Sequence, residues 1–340
     1  MNKNTSLRDT LFGPRGEDAI IDVTMLGAVG VGKTTLLASM YERFGSVIGG
    51  TDLAVGPADR GTTVVLAGYI NDLRRVTSTV RAQDGLAGTG DVREYLFKVG
   101  RKGREPLFDL RFTDYPGKYL INPNADGGDK LGRALNRADV VVVAIDTPSL
   151  MERQRRFHDL INTPMLVNDM IMRMTERDTP RLIILAPLKC ERWVASPEGA
   201  QQLADRVHEA YRPLLDQLGS QTLRARTACV LAPVQTVGSV VFSRLEEDSS
   251  GHPIFHFRLK KAGLAYAPMD TDQLLRYSLR FIVNKYRSSE RGLVRAVWER
   301  VIGTDEALVR AVEEFSNGCK TTGGFAVLQD HPLLVPGRQP

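Results

Sequence analysis

The chain is poor in the groups that would mark a disulfide scaffold or a metalloprotein. Its 340 residues include only three cysteines, Cys190, Cys229 and Cys319. They are odd in number, far apart and in no C-x-x-C pair, which argues against a disulfide framework or a zinc site and fits a reducing compartment. The five histidines, His158, His208, His252, His256 and His331, show no ligand spacing, and each reads as a structural or surface residue. No apolar run approaches the length of a membrane span. The first residues, Asn2, Lys3, Asn4, Arg8 and Asp9 among them, make no apolar signal region, so a cytoplasmic protein is expected. Charge of one sign is missing too. Forty-five basic residues face 40 acidic ones, a net +5, and a site for an anionic ligand explains so mild an excess without nucleic acid. Repeats and low-complexity segments are absent.

What is present is an ordinary globular composition, 42% hydrophobic and 25% charged, enough for one large α/β domain with insertions or with a small appendage. One stretch organises it. Ile20 to Leu26 reads as a strand, and Gly27-Ala28-Val29-Gly30-Val31-Gly32-Lys33-Thr34-Thr35 fits G-x-x-x-x-G-K-[ST] at every fixed position. Leu36, Leu37, Met40 and Tyr41 then open a helical pattern. Strand, Gly-rich turn and helix is the setting of a phosphate loop. Its backbone N–H groups wrap a phosphate and the next helix adds partial positive charge. Lys33 would reach the β- and γ-phosphates, and the Thr34 hydroxyl would bind Mg²⁺.

The spacing onward predicts a helix over 34–44 closed by Gly45, loop over 45–61, an extra amphipathic helix over 62–81 and loop again over 83–90. Val92–Val99 and Leu107–Thr113 read as a hairpin about the turn at 100–104. A short helix is expected over 128–137, a buried parallel strand over 139–145, helices over 150–160 and 164–177, and another strand over 181–186. Arg153, Arg155 and Arg156 read as a solvated helix face. Ser196-Pro197 opens a helix whose apolar face runs to Leu218, and 226–234 is a sixth strand. Val240–Leu245 and Ile254–Leu259 form an inserted hairpin. Asp270 and Gln273 read as a capping pair for a helix over Leu274–Tyr286. Further helices are expected over 291–302 and 304–316, and a mobile end from Gly323. The predicted fold is a three-layer α/β nucleotide-binding domain with a mainly parallel six-stranded sheet, one antiparallel edge strand and helices on both faces. An arm at 1–19, a domain at 20–290 with insertions near 45–91 and 240–259, and a C-terminal helical extension and tail at 291–340 complete the division.

Asp114-Tyr115-Pro116-Gly117 ends the second strand of the hairpin. An aspartate there can hold Mg²⁺ through water, and a glycine three residues on can offer its N–H to a γ-phosphate. With this D-x-x-G in place, residues 20–285 resemble a P-loop GTPase of the translation-factor-related class. Asp114-Tyr115-Pro116-Gly117, Lys189-Cys190-Glu191 and Tyr266-Ala267-Pro268 are similar more narrowly to bacterial double-GTPase domains, which are thought to act in conflict or signalling systems.

The resemblance implies roles for particular residues. Gly27, Gly30, Val31, Gly32, Lys33, Thr34, Thr35 and Gly117 would hold the phosphates. Thr34 and Asp114 would hold the metal, together with a switch threonine, for which Thr89 is the first choice and Thr51, Thr62 and Thr63 are alternatives. The base motif N/T-K-x-D would fall on Leu188-Lys189-Cys190-Glu191. Lys189 keeps the lysine, Glu191 replaces the aspartate and Leu188 the asparagine. The last base-contacting loop would be 234–239, with Thr236. The water-orienting glutamine is replaced by Lys118, which implies slow intrinsic hydrolysis or a residue supplied by a partner. The expected ligands are GTP or GDP and Mg²⁺. The expected output is a switch in binding to a protein partner, whether an effector, an activating protein or a second GTPase, with a nucleotide-dependent dimer as one form. A hydrolysis-deficient adaptor and an ATPase stay open as alternatives. The hairpin at 240–259 and the helices after 290 are partner surfaces or passive decoration.

Overall fold

In a computed structural model, residues 19–75, 79–81, 91–121, 128–174, 179–288 and 306–335 are described. Eleven strands lie among them: β1 Ala19–Leu26, β2 Leu53–Pro57, β3 Thr79–Arg81, β4 Arg93–Arg101, β5 Phe108–Asp114, β6 Val140–Asp146, β7 Arg181–Leu188, β8 Thr227–Leu231, β9 Val240–Glu247, β10 Pro253–Leu259 and β11 Ala326–Gln329. Eight of them make one sheet in the order β11-β8-β7-β6-β1-β5-β4-β2, and the rest make a small sheet β3-β10-β9. The five central strands from β8 to β5 run parallel. The longer helices are α1 Lys33–Ile48, α2 Arg60–Arg74, α3 Gly128–Arg137, α4 Pro164–Met174, α5 Pro197–Ala210, α6 Arg212–Leu218, α7 Asp272–Arg287 and α8 Glu306–Ser316.

The predicted class therefore holds, with eight strands in the main sheet rather than six. The central strands are apolar on both faces because both are covered. Val140, Val142 and Ala144 of β6 face a core shared with α1, α7 and α8, while Val141, Val143 and Ile145 face one shared with α3, α4, α5 and α6. Parallel strands bring their carboxyl ends to one edge. There the loops after Leu26, Asp114, Asp146, Leu188 and Leu231 meet, which is where ligands bind in open α/β sheets.

Several local expectations are corrected. α1 does not stop at Gly45 but runs to Ile48, since Phe44 and Ile48 are buried in the core and outweigh one helical glycine, which costs about 1 kcal/mol. Residues 53–57, expected as loop, form the edge strand β2, where Gly56 and Pro57 end the ladder. α2 ends at Arg74, and β3 follows within the range expected to be helical. The helix expected over 150–160 is broken into short turns. Arg153, Gln154 and Arg155 all have positive φ, so the arginine cluster is a left-handed turn rather than a helix face. Arg155 and Arg156 pair with Glu209 and Glu247.

The helix from Ser196 splits at Tyr211 into α5 and α6, because Pro213 removes a donor and its ring would strike the carbonyl of residue 209. Asp270 does not cap α7. It has positive φ and its carboxylate pairs with Lys320, while the Gln273 side chain bonds Gly318 O and Lys320 N. Residues 323–335 of the end expected to be mobile are built into the fold. β11 pairs antiparallel with β8, and Leu333 and Leu334 are buried. The expected loop 83–90 and helix 291–302 lie outside the described residues.

Candidate functional site

The loop Gly27–Thr34 links β1 to α1 and carries three left-handed glycines, Gly27, Gly30 and Gly32. A Cβ on Gly27 would stand 2.9 Å from Ala144 O, so β6 packs against the loop's first turn. Gly32 is the N-cap of α1 and has no side chain to cap it, which leaves the first-turn N–H groups for an anion. Val31 adds its side chain to the core and only its backbone to the loop. Lys33 is buried, and its Nζ donates to Gly27 O at 2.7 Å and Ala28 O at 3.1 Å, closing the loop on itself. Burial lowers its pKa, against the pull of the Asp114 charge.

Asp114 ends β5 opposite Met25 of β1 and Arg93 of β4. It is fully buried. Thr34 Oγ1 donates to its Oδ2 at 2.8 Å, and among the described residues its Oδ1 has no hydrogen-bond partner. Burial raises its pKa, while Lys33, the Thr34 bond and Arg93 pull it down. A buried carboxylate oxygen with nothing to accept from, beside a threonine hydroxyl, is a hard oxygen set of the kind Mg²⁺ takes with retained waters. Gly117 lies flat on the phosphate loop, where a Cβ would fall 2.2 Å from Val29 N. Lys118 starts a single helical turn, is exposed, and holds its Nζ 5.2 Å over the Tyr119 ring. Thr35 follows Thr34 in the first turn of α1.

At the other end, Lys189 has positive φ and bridges two elements. Its Nζ donates to Gly30 O at 2.8 Å and to Asp146 Oδ2 at 2.7 Å. Asp146 ends β6, and its Oδ1 also caps the turn at Thr147–Met151. Its backbone is held by Asn162, which in turn meets His158. Phe257 of β10 lies 5.9 Å under the Lys189 ammonium, so the inserted hairpin packs beside this end of the site. Glu191 is 3% exposed and accepts from Gly238 N at 3.3 Å and Val237 N at 3.5 Å. Burial raises its pKa, and those N–H groups lower it. Thr236 is buried, and its carbonyl accepts from Ser39 Oγ at 2.6 Å.

The structure thus brings Lys33, Thr34, Asp114 and Gly117 together at one end and Lys189, Glu191 and Thr236 at the other. Thr89 lies outside the described residues. The hydroxyls of its alternatives bond at helix ends. Thr51 donates to Ile48 O, Thr62 to the Asp59 carboxylate and Thr63 to Asp59 O. Asp146 and Ser39 were missed, and a buried-type acid closing the apolar run of β6 was the only sequence signal for the first.

A D-x-x-G aspartate ending the hairpin strand beside the phosphate-loop strand is the ground plan of a P-loop GTPase of the translation-factor-related class. A family model for Double-GTPase 2 matches residues 21–237, and the chain belongs to that family. No curated protein matches it. The GTP-bound Ski7 GTPase-like domain of S. cerevisiae is 12% identical, with 65% of this chain and 43% of that one covered at a TM-score of 0.33. Sup35 complexed with GDP is 14% identical, with 69% and 41% covered at a TM-score of 0.29. The chain spans less than half the length of either. No helix among the described residues is long and apolar enough to cross a membrane, and no group of three metal-ligating side chains is found among them.

Proposed function

We propose that the chain is a Mg²⁺-dependent guanine-nucleotide switch that binds GTP and GDP, hydrolyses GTP slowly unaided, and signals through a change in partner binding. The observation that carries this reading is the buried Thr34–Asp114 pair with Asp114 Oδ1 left over, next to Lys33 and the bare N-terminus of α1. Thr34 and Asp114 would hold the ion, which when bound neutralises phosphate charge. The loop N–H groups and Lys33 bind and orient the phosphates, and Lys189 ties the base end to the same loop through Gly30. Gly117 rests on Ala28 and Val29, so a shift of the 114–118 segment is felt by the phosphate loop and by anything docked on it. Thr89 remains the proposed switch threonine. A second reading, an adaptor that binds nucleotide and scarcely hydrolyses it, is favoured by Lys118. That residue stands exposed over Tyr119 where the class has its water-orienting glutamine.

Equilibrium binding of GTP, GDP and ATP with Mg²⁺, together with phosphate release, tests these readings. GTP and GDP should bind well above ATP, with slow release. Lys33→Ala should lose at least about 100-fold in affinity, the scale of a buried charge–phosphate contact. Tighter binding of ATP would overturn the guanine assignment. Normal binding by the Lys33 variant would overturn the phosphate-loop reading. Tight GTP binding with no release, with or without partners, would leave the adaptor.

A further inference from the structure

Glu191 stands at the base-motif position whose carboxylate would accept from guanine N1–H and the 2-amino group. One oxygen of its carboxylate, Oε1, is instead turned onto the backbone of the neighbouring loop. Oε1 accepts from both Val237 N and Gly238 N, and the residue is 3% exposed. The extra methylene relative to aspartate carries the carboxylate past the point where an aspartate would stop, into the 234–239 loop. That loop is tied down on every side. Gln235 exchanges two backbone bonds with Met269 at 3.1 and 2.9 Å. Ser39 holds Thr236 O, Ala267 N donates to Val237 O, and Lys260 N donates to Ser239 O. Gly238, at φ +72°, lies so close to Ala267 that a Cβ would overlap its carbonyl oxygen. The Val237 and Gly238 N–H groups are the donors Glu191 serves. Gly238 is buried, and its N–H without that carboxylate would lose its acceptor at a cost that disorders the turn.

We infer that Glu191 is a positioning residue, which orders the 234–239 loop against the purine, and that the 2-amino group of guanine goes unread. The site then does not separate guanosine from inosine nucleotides. This rests on the nucleotide reading above and narrows it.

The test is calorimetric titration of the full chain, with Mg²⁺, against GDP, IDP and pyrophosphate, for the parent and for Glu191→Ala and Glu191→Gln. IDP differs from GDP only in lacking the 2-amino group, and pyrophosphate lacks the base. The parent should bind GDP and IDP within about threefold of each other. Glu191→Ala should lose about tenfold or more on both and keep the parent's pyrophosphate affinity, because only the base end is loosened. Glu191→Gln, whose amide oxygen accepts the same N–H groups, should return to within about threefold of the parent. A parent that prefers GDP over IDP by about tenfold or more, with the preference lost in Glu191→Gln, would overturn the inference and restore Glu191 as the base reader. Equal loss of pyrophosphate by Glu191→Ala would also overturn it, since the effect would then lie in the whole site. Failure of the nucleotide reading looks different: Lys33→Ala would bind GDP as the parent does.

Discussion

Gly117 leaves no room for a side chain. A Cβ would lie 2.2 Å from Val29 N and 2.4 Å from the Ala28 carbonyl carbon, both backbone atoms that cannot rotate away. Gly117→Ala must push the 114–118 segment off the phosphate loop. It is expected to lower GDP affinity at least about tenfold and to cost about 1–3 kcal/mol of stability, by titration and by urea unfolding. His158 gives a prediction in pH. It is buried 3% exposed beside Tyr211 and Asn162, and burial lowers its pKa to about 4. An unfolded histidine takes a proton near 6.5, whereas the folded one resists until about 4. Its neutral form therefore favours folding above pH 6.5, and that contribution of about 3 kcal/mol is lost as pH falls from 6.5 to 4. Urea midpoints across that range, for the parent and for His158→Gln, should differ in slope; parallel curves would refute it. At this scale the phosphate loop was legible because its chemistry is local, nine successive residues after a strand. Asp146 and Ser39 were not, because their partners stand 43 and 197 residues away, and only the fold brings Lys189 and Thr236 to them.

Elements were legible where burial is two-sided or period is regular, as in β6, β7 and the hairpin β4–β5. They were misread where tertiary contacts override local signals. β2 has a poor strand composition but buries Leu53 and pairs with β4. The final segment carries Gly323, Gly324 and Pro332 yet docks on α7, whose polar residues recur at helical spacing and bond carbonyls at the end of α8, in the turn after it and in the segment itself. Gln273 holds Gly318 O, Arg276 holds Phe315 O, Tyr277 holds Lys320 O, Arg280 holds Ser316 O and Asn284 holds Leu333 O. The Phe315 and Ser316 carbonyls belong to the last turn of α8, where Gly318 N and Cys319 N also donate to them. Arg280 is buried. Arg280→Ala should cost about 2–4 kcal/mol in urea unfolding, because the buried guanidinium's packing and its bonds to Ser316 O and Leu334 O are lost. A loss below about 0.5 kcal/mol would show that solvent replaces it.

Across the whole molecule, the loops after five parallel strands converge at one sheet edge, and the small sheet β3-β10-β9 stands beside the base end, with Phe257 under Lys189. The inserted hairpin thus packs beside Lys189, a placement that sequence position alone did not reveal. The account depends most on the proposed metal site, where Asp114 keeps one buried oxygen without a hydrogen-bond partner among the described residues, next to Thr34. GTP affinity measured with Mg²⁺ and with EDTA, for the parent and for Asp114→Asn, tests it most directly. The parent should lose about tenfold or more when the metal is removed, and the variant with Mg²⁺ should bind no better than the parent in EDTA. Equal affinity of the parent with and without Mg²⁺ would contradict the account.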